Sequence, residues 1–388
     1  MSRTRVGLDA RALTNINRHR GIGLYTARLI ENLLQEATGF EFVAFGFGKA
    51  PDADLLDRGV MSRLEWRELP GYEKLPYHDV LADHIVLAKV VQQSGVKLFH
   101  GINHNVSPFL KCLSLVTVHD LIPLIMRGPY LGPRQLLWST AHRRAARKAR
   151  FVVTDSESTR RDVARIWGIP EDRIKVVYGG VDQNHRPVED ARKIEKVTEK
   201  YSIRNPFFLF TGGFDPRKNI GNMLLAFKKF LLATGKDFQF VLCGDLGHFK
   251  CYLHDEITEL GLDGRVVLPG FVPADDLPSI YSGAVALVFM SLYEGFGLPP
   301  LESMMYKTPV LTSRLTSIPE VVGDAGLYVD PLEPADIAAG MIRLAEDDGL
   351  RKELVEKGAR RAALFTWGET AREILALYPQ VLEGGGRD

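Results

Sequence analysis

Cysteine is scarce in this sequence. Cys112, Cys243 and Cys251 are its only three, and their spacing fits neither a disulfide framework nor a zinc site. That usage suits a reducing compartment. No run of about 18 apolar residues occurs, so no membrane-spanning helix is expected. The opening "MSRTRVGLDARAL" has no apolar core of the length a secretory leader needs. The expected location is therefore the cytoplasm. An excess of one charge is missing too: 49 Lys and Arg face 48 Asp and Glu, a net of +1, which removes the electrostatic case for nucleic acid. The nucleotide-binding pattern G-x-x-x-x-G-K-S/T is absent, so a phosphate site must be built another way.

What is present is ordinary for a globular protein: 45% hydrophobic and 25% charged residues. A chain of 388 residues exceeds one ordinary core and points to two domains. Apolar strand patterns at 4–9, 40–47, 96–100, 115–120 and 151–156 alternate with helix patterns near 22–37, 80–93, 134–149 and 157–167. The series restarts with strands at 206–213, 238–245, 265–270, 284–291 and 309–313, and its clearest helix is 219–235. Strands that are apolar throughout are covered on both faces, and their alternation with helices predicts parallel sheets. The fold class is α/β, with two doubly wound domains, a cleft between them, and a polar linker at 179–205 whose boundary falls near 182–190. Ligands in such sheets bind beyond the carboxyl ends of the strands.

The loops at those ends hold the candidates. "TGGFDPRKN" (211–219) follows a buried strand with Gly212 and Gly213, then places Arg217 and Lys218 where a helix begins. Free N–H groups, the helix dipole and two cations suit a phosphate; a turn with solvated basic residues is the plainer alternative. "YEGFGLPPLES" (293–303) sets Glu294 and Glu302 eight residues apart. Its glycines and prolines forbid one continuous helix, and Pro299 and Pro300 suit a helix start. Glu294 is then expected to end a strand and Glu302 to lie in the first turn of the helix. Two carboxylates beside a donor-rich glycine loop suit a polyhydroxylated ligand that also carries anionic oxygens. The alternative is a solvated turn residue and a helix-favouring glutamate.

"VTVHDLIPL" (116–124) puts His119 and Asp120 at a strand end in the first half, a position open to a structural or a functional histidine. Gly21 and Gly23 open a helix in "GIGLYTARLI", a second possible anion site. "DAD" (52–54) matches a metal-binding pattern formally but follows no buried strand. The segment 134–150 reads as a basic helix with Arg143, Arg144, Arg147, Lys148 and Arg150 on one face and Trp138, Ala141, Ala145 and Ala149 on the other. It would cover a sheet or rest on an anionic membrane.

Taken in order, G-x-G near the start, "HD" at a strand end, "PRKN" after the linker and E-x7-E near residue 300 resemble the retaining glycosyltransferases of family 4, mannosyltransferase-like bacterial members above all. "SIPEVVGDAGLYVDP" (317–331) adds to the match. The resemblance implies the GT-B fold, with an acceptor-binding domain at 1–185, a nucleotide-sugar-binding domain at 186–366, and a final helix near 367–382 packing back on the first. It implies transfer of a sugar, best GDP-mannose, from a nucleotide-sugar donor to a glycan or lipid-linked acceptor, with no cofactor and no metal.

It also assigns residues. Lys218 and Arg217 would neutralise the diphosphate, and Glu302 would hold the ribose. Glu294 with the backbone of Gly295, Phe296, Gly297 and Leu298 would hold the sugar and phosphate. His119 would contact the sugar, Gly23 would admit the diphosphate, and Val272 in "GFVP" (270–273) would carry the base. Catalysis would fall to His119, Glu294 and Lys218. Many members have arginine where this chain has Gly213. Two other readings are a UDP-sugar-dependent transferase and a sugar-nucleotide epimerase, which would convert its nucleotide sugar without an acceptor. A binding protein on the same scaffold is a third, opposed by the intact Lys218, Glu294, Glu302 and His119.

Overall fold

The computed structural model describes residues 3–15, 18, 21–51, 55–56, 58–70, 78–104, 106–126, 133–182 and 186–383. The chain divides into two compact units: Met1–Gly180 with Trp367–Asp388, and Val181–Thr366. The "DAD" segment lies outside the described residues.

Unit 1 is built on seven parallel strands: β1 (Thr4–Asp9), β2 (Phe40–Phe47), β3 (Glu65–Leu69), β4 (Leu98–Gly101), β5 (Leu113–Val118), β6 (Phe151–Thr154) and β7 (Ile174–Val176). Their order is β3-β2-β1-β4-β5-β6-β7. The chain winds outward one way from β1 and then crosses back to β4, so the order reverses between those two strands. Loops leaving β1 and β4 diverge there and leave a crevice at the carboxyl edge. The central strands carry Val6, Leu8, Phe99, Leu115 and Val116, all fully buried.

Unit 2 repeats the plan with β8 (Phe207–Thr211), β9 (Gln239–Cys243), β10 (Val266–Gly270), β11 (Ala286–Phe289), β12 (Val310–Thr312) and β13 (Gly326–Tyr328). The order is β10-β9-β8-β11-β12-β13, again parallel, with its reversal between β8 and β11. Every residue of β8, β9 and β11 is buried, as a strand covered on both faces requires.

The helix Trp367–Glu383 belongs to unit 1. Its buried side includes Ile374, Leu377, Tyr378 and Val381. Two polar contacts fix its register: the Tyr378 hydroxyl lies 3.0 Å from His100 Nδ1 on β4, and Thr370 Oγ1 donates to the Tyr178 carbonyl at 2.8 Å. The expected single helix at 157–167 is instead an α-helical turn, Glu157–Asp162, followed by a wider π-type turn, Val163–Trp167, closed by Gly168 at φ +63°. Arg143 Nε donates to the freed Trp167 carbonyl at 2.9 Å.

The basic helix runs Pro133–Lys148. Ala145, Ala146 and Ala149 are buried, while Arg144, Arg147, Lys148 and Arg150 are exposed. Lys148 Nζ donates to the carbonyls of Pro108 and Leu110 at 2.8 and 3.3 Å. Among the described residues no helix is long and apolar enough to cross a membrane.

Candidate active site

Two loops meet at the reversal in unit 2. The first leaves β8 through Gly212, whose φ of +148° disfavours any side chain and whose N–H donates to the Cys243 carbonyl at 3.0 Å. A 3-10 turn, Pro216–Lys218, follows. Asn219 at φ +59° redirects the chain into the helix Ile220–Thr234, so that helix begins one residue later than expected. The second loop leaves β11 and reaches Glu294 five residues beyond the strand's last residue, Phe289, so Glu294 does not end the strand. A backbone bond from Leu292 N–H to the Arg217 carbonyl, 2.8 Å, joins the loops.

Their side chains converge on one carboxylate. Lys218 Nζ lies 2.6 Å from Glu294 Oε1, and Arg217 Nη1 lies 2.8 Å from Oε2. Arg217 also pairs through Nε with Asp215 Oδ1 at 2.9 Å and donates to the Tyr293 carbonyl at 3.0 Å. Lys218 and Glu294 are buried. Burial opposes ionisation of Glu294, but Lys218 and Arg217 overcome it and hold its pKa at about 2. Burial lowers the Lys218 pKa, with Glu294 acting against it. The cluster therefore sets the carboxylate of Glu294 against the side chains of Lys218 and Arg217.

The loop around Glu294 is held from behind. The Thr316 hydroxyl oxygen accepts from the Glu294 N–H at 3.1 Å, and Ser317 Oγ lies within hydrogen-bond distance of the carbonyls of Glu294 and Phe296, 3.0 and 2.6 Å. Phe296 turns its ring inward against Phe365, so only its backbone serves the loop. Gly297 has φ +125°, and a Cβ there would lie 3.0 Å from Ile318, which selects glycine twice over. Gly297 caps the helix Leu298–Met305, with Pro299 and Pro300 in its first turn. Glu302 is that helix's fifth residue, one turn deeper than expected, because the strained glycine lets the helix start at Leu298.

That depth gives Glu302 a different setting. Tyr281 Oη donates to Glu302 Oε2 at 2.9 Å and lies 2.7 Å from Thr211 Oγ1, at the end of β8. Burial raises its pKa to about 7 against the opposing Tyr281 bond. Glu302 therefore reaches β8 through Tyr281 rather than joining the Lys218–Glu294 pair. Gly213 lies beside the cluster; a Cβ there would meet only Asp215 Oδ2, at an ordinary 3.5 Å. Val272 is buried just past β10, on the far side of β9 from the Lys218 loop.

His119 and Gly23 lie in unit 1. Gly23 is buried as the third residue of the helix Gly21–Glu36. Tyr25 of that helix sets its ring edge-on to His119, centroids 4.6 Å apart. His119 follows β5 directly and is buried. Its Nδ1 lies 2.5 Å from Asp155 Oδ2 and its Nε2 lies 2.9 Å from the Ile102 carbonyl. Burial disfavours its protonation, but Asp155 outweighs that and raises its pKa. Beyond β1, Arg11 is buried and grips Asp9 through Nε and Nη2 at 2.8 and 2.9 Å.

Sequence reasoning missed Asp155, Tyr281, Thr316, Ser317 and the Asp9–Arg11 pair. A weak signal existed for two of them: Asp9 and Asp155 are carboxylates at the carboxyl ends of β1 and β6.

Residues 19–185 match the description "Glycosyltransferase Family 4", and residues 192–361 match "Glycosyl transferases group 1". The chain is 30% identical over 285 residues to O-antigen chain mannosyltransferase B of Escherichia coli, covering 72% of this chain and 74% of that protein. Among solved structures it resembles sucrose-phosphate synthase from Thermosynechococcus elongatus, with TM-score 0.79 and 20% identity over 99% of this chain and 100% of the other. It also resembles HepE of Anabaena, solved with UDP and glucose, with TM-score 0.78 and 18% identity over 97% and 100%.

Proposed function

The chain belongs to the family 4 glycosyltransferases, with the GT-B fold, and we propose that it moves mannose from GDP-mannose to a glycan or lipid-linked acceptor, with retention and without a metal. The mannosyltransferase relative supports the donor sugar. The single observation that carries the site is the meeting of Lys218, Arg217 and Glu294 at the strand-order reversal of unit 2.

The leaving group is a nucleoside diphosphate, so negative charge develops on its oxygens as the glycosidic bond breaks. Lys218 and Arg217 supply two fixed cations for it, and the backbone from Gly295 to Leu298 supplies N–H donors. The sugar carbon turns cationic at the same moment. Glu294, ionised at every working pH, favours that charge. Glu302 grips the ribose hydroxyls away from the breaking bond. The acceptor oxygen then attacks on the face the diphosphate leaves, and a diphosphate oxygen takes its proton. The protein works in the cytoplasm, and the exposed arginines of the helix Pro133–Lys148 draw it to anionic lipid; sedimentation with anionic vesicles that is unchanged by reversing Arg144 and Arg147 would remove that contact.

The test is a panel of GDP, UDP, ADP and their sugars read by thermal shift, followed by product analysis. A nucleotide at about 100 times its Kd stabilises by about 2.7 kcal/mol. GDP-mannose should give the largest shift, and transfer should survive EDTA. A larger shift with a UDP-sugar would change the donor, conversion of the nucleotide sugar without acceptor would mean an epimerase, and loss in EDTA restored by Mg²⁺ would end the metal-free reading.

A further inference from the structure

Thr316 has a backbone conformation that its own side chain opposes. Its φ is +52°, in the left-handed region, where a β-branched residue is an outlier and a glycine would sit without strain. What threonine has there and glycine lacks is a hydroxyl. Among the described residues that hydroxyl meets one partner, the N–H of Glu294, which it accepts at 3.1 Å. The strain thus accompanies a single hydrogen bond, and that bond ends on the residue that carries the site's carboxylate.

The Glu294 N–H belongs to the Tyr293–Glu294 peptide. The carbonyl of the same peptide accepts from Arg217 Nη1 at 3.0 Å. A trans peptide is planar, and its C=O and N–H point opposite ways, so Arg217 and Thr316 hold one rigid unit from its two edges. Ser317, fully buried, adds a hold on the other side of Glu294: its Oγ lies 3.0 Å from the Glu294 carbonyl and 2.6 Å from that of Phe296. The gripping residues are themselves anchored. They lead into the short helix Ile318–Val322, where Ile318 and Val321 are buried and Arg361 Nε donates to the Val321 carbonyl at 3.0 Å. The main chain before and after the Glu294 Cα is therefore fixed. From that base the carboxylate reaches Lys218 Nζ at 2.6 Å and Arg217 Nη1 at 2.8 Å.

We infer that Thr316 is a positioning residue for the reaction: its left-handed backbone delivers a hydroxyl to the Glu294 N–H, locks the Tyr293–Glu294 peptide against Arg217, and so aims the Glu294 carboxylate. This rests on the transferase reading above, in which Glu294 favours the sugar carbon as it turns cationic. A carboxylate held only by two long cationic side chains would swing with them when a diphosphate competes for Lys218 and Arg217. The Thr316 bond acts on the main chain instead, at an N–H outside the donors from Gly295 to Leu298. The carboxylate then keeps its direction while its cations are shared.

The experiment compares Thr316→Gly, which relieves the strain and removes the hydroxyl, with Thr316→Ser, which keeps the hydroxyl. On the full chain it measures kcat with GDP-mannose, Tm, and hydrogen exchange of the Glu294 amide by NMR. In Thr316→Gly that amide should exchange faster and kcat should fall roughly 10–100-fold. Its Tm should stay within a few degrees of the wild type, because relief of strain offsets the lost bond. Thr316→Ser should recover most of the rate and of the protection. In a Glu294→Gln background Thr316→Gly should cost less than about twofold, since both act through one carboxylate. Equal losses of rate in the two backgrounds overturn the inference, and so does a Thr316→Gly protein with wild-type kcat. A Glu294 amide that exchanges freely in the wild type overturns it even if no Thr316 variant folds. A protected amide that Thr316→Gly releases, in a protein that transfers sugar from no nucleotide donor, overturns the transferase reading instead, and the positioning role with it.

Discussion

Lys218 and Glu294 lie 76 residues apart in sequence and 2.6 Å apart in space, buried together where the strand order of unit 2 reverses. The cations proposed for the donor diphosphate are thus already neutralised by a carboxylate of the same site. Glu294 occupies the position an anion would take and holds both cations in place before any donor arrives. Donor binding must therefore share or displace these pairs, and losing one partner has two separable consequences.

Lys218→Ala should lower transfer by about 10²–10³-fold, the scale for losing a preorganised charge stabiliser. It should also destabilise the protein by about 3 kcal/mol, because a buried carboxylate loses a partner. Kinetics and GDP calorimetry at a temperature where the variant is folded separate the two. Unchanged kcat/KM and unchanged GDP affinity would remove the phosphate role.

The two glutamates should fail differently with pH. Burial lifts the Glu302 pKa to about 7, so if Glu302 holds the ribose as a carboxylate, donor affinity should be full above that value and fall as pH drops through it. Donor KM should rise roughly tenfold from pH 7.5 to 6. Glu302→Gln should show a high KM with no such slope and little change in kcat, a uniform-binding effect. Glu294, ionised down to about 2, contributes no slope, and Glu294→Gln should lower kcat. A wild-type KM that is flat over this range sinks the ribose assignment.

Gly213 should accept an arginine. A Cβ there makes only an ordinary contact with Asp215 and the backbone is not left-handed, whereas Gly212 is. Arg217→Ala should weaken GDP binding about tenfold, the ~1.4 kcal/mol of one modest charged contact. Adding Gly213→Arg should recover part of that, and Gly212→Ala should destabilise the fold. Calorimetry showing no recovery would mean the two positions do not serve one anion.

Unit 1 should fail first in acid. His84 and His100 are buried neutral, with pKa values lowered to about 4 and about 3 by burial first, and then by Arg11 and by His119 respectively. The folded state binds fewer protons than the unfolded chain, so stability is full above about 6.5 and falls as pH drops below it. By pH 5 each histidine costs about 2 kcal/mol. Calorimetric scans from pH 7.5 to 4.5 should show one transition moving down ahead of the other; a unit 2 transition that moves first contradicts this.

Much of the architecture was legible because β8, β9 and β11 are buried throughout and therefore read as unbroken apolar runs. β3 was not, since "EWREL" is a sheet edge with Arg67 and Glu68 exposed. β7 and β13 are three residues long and only partly buried, so they carry no unbroken apolar run. Lys218, Glu294 and Glu302 stood out singly by their glycine and proline surroundings. Their pairing did not, because it depends on which strands are neighbours. The depth of Glu302 depends on the φ of Gly297, and the setting of His119 depends on a carboxylate at the end of another strand.

The closing helix Trp367–Glu383 carries a consequence for biosynthesis. Unit 2 is one continuous stretch, Val181–Thr366, and every residue it needs has been made before that helix exists. Unit 1 is begun first and finished last. Until Tyr378 leaves the ribosome, His100 has no hydroxyl to meet, and the wall covered by Ile374, Leu377 and Val381 stands bare. A chain that stops before residue 367 would therefore hold all of unit 2 and leave one apolar wall of unit 1 open.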